Sequence, residues 1–173
     1  MQERGPLVSS LTARRLLTVA VAAVVVAVDQ VTKTWAEHQL PRHVIWTLWF
    51  YPTLNRGAAF GLGQGVTPIV ETAVVLLVAA LIVFGRRASR AASIPVSIGL
   101  GLLVGGAIGN LVDRVIRDND RAVIDFIDAV RVGHHDLWPT FNVADASIVV
   151  GAIVLALAFA YRRSSHPTQA PTS

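Results

Sequence analysis

Four apolar runs, residues 16–35, 66–85, 91–110 and 143–161, divide this chain of 173 residues. A run of roughly 20 apolar residues crosses the hydrocarbon of a bilayer as a helix, because lipid offers no partner to an unpaired N–H or C=O. The expected fold class is therefore an all-α membrane protein with four transmembrane helices. Composition agrees: 53% of residues are hydrophobic, mean hydropathy is +0.56 and only 15% are charged, against about 25% charged in ordinary soluble domains. The intervening loops are long (36–65), very short (86–90) and long (111–142).

If the spans alternate, Arg4, Arg14, Arg15, Arg86, Arg87, Arg90, Arg162 and Arg163 all fall on one side. The positive-inside rule makes that side cytoplasmic, with both termini there. Apart from Glu3, the acids lie in the exoplasmic loops or near the exoplasmic ends of spans, so any chemistry faces outward. The basic residues flank apolar runs rather than form one polar stripe, which argues against nucleic acid as a partner of this +4 chain. The first run follows Arg14 and Arg15 like a signal peptide. It lacks a small-residue cleavage site and ends in Asp29, Gln30 and Lys33, so it is read as retained. Residues 1–15 form a cytoplasmic extension, mostly disordered before Leu11, and 162–173 a disordered cytoplasmic tail, leaving 16–161 as a single membrane domain. The stretch 43-HVIWTLWFY-51 is aromatic and β-branched, which favours strand, with Trp46 and Trp49 expected at the lipid interface.

The polar residues inside and beside these runs carry most of the information. Asp29 and Lys33 stand four apart with the acid first, the favourable order for a helical ion pair. They form either a self-neutralising pair that tolerates the membrane or one that orients a site. At the end of the third run, 105-GGAIGNLVDR-114 puts Asn110, Asp113 and Arg114 within one turn. Arg114 alone would fit an interfacial anchor, but Asn110, an amide beside glycines, needs a partner across the bundle. Ser97, Gly101, Gly105 and Gly109 form a small-residue face on the same run, suited to close helix packing.

Asp125 and Asp128 of 123-VIDFID-128 precede re-entry into the membrane, and Asp145 follows in the first turn of the fourth run. An ionised carboxylate in hydrocarbon costs about 3 kcal/mol even on lenient insertion scales. A solvated acidic rim is one explanation. The sharper one is a dyad, in which two close carboxyls share a proton. The ionised member takes a proton from water and the protonated one hydrogen-bonds the scissile carbonyl. Competing chemistries lack their residues. The chain has no cysteine, its histidines lack metal-ligand spacing, and no G-x-S-x-G elbow or glycine-rich phosphate loop occurs. No metal and no cofactor are implied.

Together 29-DQVTK-33, 55-NRGAAFG-61, 105-GGAIGNLVDR-114, 123-VIDFID-128 and 141-FNVADASI-148 resemble, in order, the motifs of the lipoprotein signal peptidase (type II signal peptidase) family of bacterial inner-membrane aspartic proteases. The resemblance implies four membrane helices with a small exoplasmic β-cradle. Its implied substrate is a prolipoprotein whose lipobox cysteine carries diacylglycerol, cut N-terminal to that cysteine at the membrane surface. By motif position it implies Asp125 and Asp145 as the catalytic pair. Asp29, Lys33, Asn55, Gly57, Asn110, Asp113, Arg114 and Asn142 would then support the site or hold substrate. If 123–128 is extended, Asp128 points away from Asp125, leaving it for an arginine such as Arg114 or Arg131. The link 117-RDNDR-121 is longer and more charged than the compact one common in the family. A small proton-coupled transporter using the same acids as a relay is the main alternative, although a relay needs groups continuing across the midplane. A non-catalytic chaperone or scaffold would not need both acids.

Overall fold

The computed structural model describes residues 6–39, 43–45, 48–56, 93–118, 120–128, 131–132, 135–136 and 139–164. Three helices long and apolar enough to cross a membrane lie among them: α1 (Pro6–Gln39), α2 (Ile94–Ile116) and α3 (Val143–Ser164). The expected second span, 66–85, lies outside the described residues. α1 starts earlier than the 16–35 run and takes in residues 6–10, which are helical rather than disordered. Its 34 residues are about 51 Å of helix, well over a hydrocarbon thickness. α2 begins after Ser93 with Pro95 in its first turn, where the missing N–H is harmless. It then runs past the apolar segment to Ile116, because Asp113 and Arg114 find buried partners and have no need of the interface.

α2 is the central helix, packed against both α1 and α3, and its small residues allow this. A Cβ at Gly101 would lie 2.7 Å from Val21 Cβ, and one at Gly105 the same distance from Val25 Cβ, so this face meets α1 as the sequence spacing suggests. The Thr18 hydroxyl donates to the carbonyl of Ser97 on the same face (3.1 Å). On the other side a Cβ at Gly106 would run into the backbone carbonyl oxygen of Ala144, at the start of α3. The outward faces of α1 and α3, including Val19, Val31, Ile153 and Leu157, are exposed and apolar, as lipid-facing surfaces are.

Among the described residues outside the helices there are two small sheets. β1 (His43–Ile45), β2 (Leu48–Asn55) and β3 (Val123–Asp128) make an antiparallel sheet in that order, so 43-HVIWTLWFY-51 contains strands as its composition suggests. Thr53 stands opposite Asp125 and Asn55 opposite Val123, and a β-bulge interrupts β2 between Phe50 and Thr53. Pro52, which has no N–H to give a ladder, falls within it. Phe141 bridges to Ile127 on the far side of β3. β4 (Arg131–Val132) pairs with β5 (His135–Asp136) in a separate ribbon. Phe126 of β3 packs on Ala36 of α1 with Phe50, Ile127 and Val143, which seats the sheet on the helices.

The 117–121 link is held by charge. Arg117 ends α2 and binds Glu37, the Thr34 hydroxyl (2.9 Å) and the Gln30 side-chain carbonyl (3.2 Å), fastening α2 to the end of α1. Asp120 and Arg121 both have left-handed backbone (φ 55° and 61°), which turns the chain into β3, and Asp120 pairs with Arg56 at the end of β2 (2.8 Å).

Gly106 offers a test of the α2–α3 contact. Alanine gains about 0.5–1 kcal/mol over glycine within a helix, whereas forcing a methyl into packed backbone costs about 1–3 kcal/mol. Gly106→Ala should therefore unfold at a lower temperature than wild type in detergent micelles and lose activity, because α3 must retreat. A variant as stable as wild type would mean that the helices are not in this contact.

Candidate active site

The start of α3 explains why a carboxylate can stand at Asp145. Asn142 precedes the helix and its side-chain oxygen accepts from Asp145 N (2.9 Å), while Asp145 Oδ2 accepts from Asn142 N (3.3 Å). This reciprocal arrangement is a capping box built from 142-NVAD-145, and the positive end of the helix dipole favours the acid. A third orphan N–H of that turn, on Ala144, donates to Asp29 Oδ1 from α1 (2.9 Å).

Asp29 belongs to a buried charge cluster centred on Lys33. The Lys33 ammonium lies 2.8 Å from Asp29, 2.8 Å from Asp113 and 3.0 Å from the Asn110 side-chain oxygen, and all three charged groups are fully buried. Three donors meet three acceptors, which is what a buried ammonium needs to offset its desolvation. The sequence spacing of Asp29 and Lys33 thus corresponds to a real ion pair, and Asp113 is its second acid. Asp113 also accepts from the backbone N–H of Ile124 (3.1 Å), tying α2 to the strand that bears Asp125.

Asn110 and Asn142 carry this order to two acids. The Asn110 amide nitrogen donates to Asp145 Oδ1 (2.8 Å), and the Asn142 amide nitrogen donates to Asp125 Oδ1 (2.7 Å) and to the Asn110 oxygen (3.1 Å). Asn55 at the end of β2 donates to the other oxygen of Asp125 (2.9 Å). Asp125 and Asp145, from a strand and a helix, are both buried and joined through two amides. Burial pushes the Asp125 carboxyl up to about 7; the negative charge of Asp145 adds to the rise, and the Asn55 and Asn142 hydrogen bonds work against it. An Asp held near neutrality beside a second carboxylate can exchange protons with water and with a peptide carbonyl.

The other expected residues separate. Arg114 is buried and donates to the Asn110 backbone oxygen (3.3 Å), beneath the site. Gly57 lies outside the described residues. Asp128 is fully buried and accepts from the Tyr51 hydroxyl (3.3 Å), and its Oδ1 has no hydrogen-bond partner among the described residues. Among the described side chains the partner of Asp128 is Tyr51, which β2 brings within reach, and the side chain of Arg131, one of the two arginines expected there, lies outside the described residues. Gln30 is a residue that the spacing argument passes over. It donates to Asp113 (2.9 Å) and Asp29 (3.2 Å) and accepts from Arg117, and its place one residue after Asp29 in 29-DQVTK-33 was the available signal.

Comparison with known proteins identifies the family. The sequence pattern described as Signal peptidase (SPase) II matches residues 21–161. A lipoprotein signal peptidase of Oleidesulfovibrio alaskensis is 43% identical over 148 residues, covering 80% of this chain and 90% of that protein. One from Geobacillus thermodenitrificans is 38% identical, covering 82% and 88%. Among solved structures, a bacterial membrane enzyme determined by the in meso method at 2.3 Å superposes with a TM-score of 0.75 at 28% identity, over 90% of this chain and 94% of that one. A second bacterial membrane enzyme reaches 0.68 at 30% identity, over 82% and 91%. With a pattern match across most of its length and relatives this close over four fifths of it, the chain belongs to the signal peptidase II family of membrane peptidases.

Proposed function

We propose that this protein removes the signal peptide from diacylglyceryl-modified prolipoproteins, cutting N-terminal to the lipidated lipobox cysteine, with Asp125 and Asp145 as an aspartic dyad. The observation that carries the reading is the pair of buried carboxylates joined through Asn110 and Asn142. The name of the relatives, lipoprotein signal peptidase, supports the substrate class. One carboxylate takes a proton from water, which attacks the scissile carbonyl, while the other, protonated, hydrogen-bonds the carbonyl oxygen. The proton gained from water then passes to the leaving amine. Asp29, Lys33, Asn110, Asp113, Asn142 and Asn55 hold the two acids in place, and Arg114 supports α2. Gly57 is assigned to the substrate side on motif position alone. The relatives are peptidases, which leaves the transporter reading without support.

We further read the protein as a four-span inner-membrane protein in contact with membrane lipid. Residues 16–161 form one peptidase domain, both tails are cytoplasmic, and the dyad lies at the exoplasmic surface. The side-chain cluster fits this reading, since Asp29, Lys33, Asn110 and Asp113 lie towards the end of α1 and α2 that leads to the sheet.

Asp125→Asn and Asp145→Asn should each abolish cleavage of a lipidated precursor by purified, folded protein, because an amide is nearly isosteric yet cannot take the proton. The double variant should lose no more than either single one, as expected of groups acting as a unit. Asp128→Asn should stay active. A fully active Asp125→Asn protein would mean that the acid has been wrongly chosen.

The pH dependence has a definite sign. Hydrolysis needs one proton on the dyad, and the Asp125 carboxyl, raised to about 7, loses it as pH rises. kcat/KM should fall above about pH 7 with the slope of a single proton. Stability carries the same sign: the unfolded carboxyl titrates at roughly 3.9, so the folded state binds the extra proton between there and 7. That contribution, full below the lower value, is lost as pH rises through the upper. A rate that stays level to pH 9 would contradict the assignment.

The chain has no cysteine, so single cysteines report topology directly. Ser89→Cys and Asp118→Cys should react with an impermeant thiol reagent from opposite faces of the membrane, Asp118→Cys from the exoplasmic face. Labelling of both from one face would rule out four spans.

A further inference from the structure

The aspartic reading leaves open what fixes the backbone of Asp125, and the bulge makes this a real question. The ladder between β2 and β3 is irregular between Phe50 and Thr53, beside the Thr53–Asp125 pair, and Pro52 has no N–H to offer there. Asp125, which the aspartic reading pairs with Asp145, thus stands beside an irregular stretch of its own sheet.

Side chains from both neighbours fill the gap. On β2, Thr53 and Asn55 are two residues apart and share a face: the Thr53 hydroxyl donates to the backbone oxygen of Asp125 (3.1 Å) and Asn55 to its carboxylate (2.9 Å). Across β3, Thr140 and Asn142 are likewise two apart on an extended segment. Phe141 between them is held to Ile127 by hydrogen bonds in both directions (2.9 and 3.0 Å). Asn142 takes the other carboxylate oxygen (2.7 Å), and the Thr140 hydroxyl meets that of Thr53 at 3.0 Å. A hydroxyl has one proton. Because Thr53 gives its proton to a carbonyl that can only accept, Thr140 must be the donor to Thr53. The chain of bonds therefore runs one way, from Thr140 through Thr53 to the Asp125 carbonyl.

We infer that the Thr53 and Thr140 hydroxyls are positioning groups for Asp125, a bridge that ties its backbone to β2 beside the bulge and to the segment carrying Asn142. Neither hydroxyl meets a reacting atom; both act through Asp125. The inference rests on the aspartic reading of the site.

Valine keeps the shape and β-branching of threonine and puts a methyl group in place of the hydroxyl. Thr53→Val should lower kcat about tenfold, in keeping with the sensitivity of catalysis to small displacements, with KM within about twofold and the melting temperature close to wild type. Thr140→Val should cost less, since Thr53 keeps its donor bond to Asp125. The double valine variant should be no worse than Thr53→Val. Thr53→Ser, which keeps the hydroxyl, should restore most of the rate. Three results would overturn the bridge: a Thr53→Val protein with the wild-type kcat, a change confined to KM, or a serine variant as impaired as the valine one. Asp125→Asn measured alongside separates the two levels. An active Asp125→Asn protein defeats the aspartic reading and the bridge with it, whereas an inert one beside a fully active Thr53→Val defeats the bridge alone.

Discussion

Everything at this end of the bundle is organised around one buried ammonium. Lys33 contributes a charge that could not remain inside the protein unpaired, and the groups that satisfy it come from two helices: Asp29 one turn away on α1, and Asp113 and Asn110 on α2. Each then uses its remaining bonding capacity on a further element. Asp29 caps α3, Asp113 holds the backbone of β3, and Asn110 holds Asp145. Removing one member of such a buried cluster costs about 3–5 kcal/mol, because the remaining charges lose their compensation. The cluster therefore stabilises the fold and sets the relative position of the helix and strand that bear the two acids.

The cluster closes only because glycine lets the helices approach. In lipid no water is released when apolar helices meet, so packing and polar contacts must hold them. The glycine at 106 brings the backbone of α2 against that of α3, and a Cβ at Gly109 would lie 2.7 Å from Asp29 Oδ2. With side chains at these positions the Asn110 amide would no longer reach Asp145, nor Asp29 the first turn of α3. Small residues here position a site as well as pack a bundle.

The link between α2 and β3 is fastened to both of its neighbours. Its charges are used in place: Arg117 fastens α1 to α2 and bonds Asp113 (3.2 Å), while Asp120 pairs with Arg56 next to Asn55. The exposed Arg56 pair contributes little by itself. The half-buried Arg117 reaches the Lys33 cluster through Gln30 and Asp113, and so extends that cluster to the surface.

Much of this was readable in the sequence because membranes impose severe rules. Apolar length predicted helices at α1, α2 and α3, four-residue spacing predicted the Asp29–Lys33 pair and the small-residue face of α2, and aromatic and β-branched composition predicted strand within 43–51. The cost of an acid beside or within an apolar run drew attention to Asp125, Asp128 and Asp145 together, and only the resemblance of motifs preferred Asp125 to Asp128. What periodicity could not reveal were contacts between residues far apart in the chain. Nothing in the spacing says that Asp113 joins Lys33, that Gln30 lies between two acids, that Asp128 meets Tyr51, or that Thr53 and Thr140 meet beside Asp125. Apolar length does not fix helix ends either, since α2 continues to Ile116, its polar residues finding partners across the bundle. Local chemistry decides which segment becomes helix or strand and which side chain is costly to bury. Only the folded bundle decides which buried groups satisfy one another, because those partners are brought together by packing between elements.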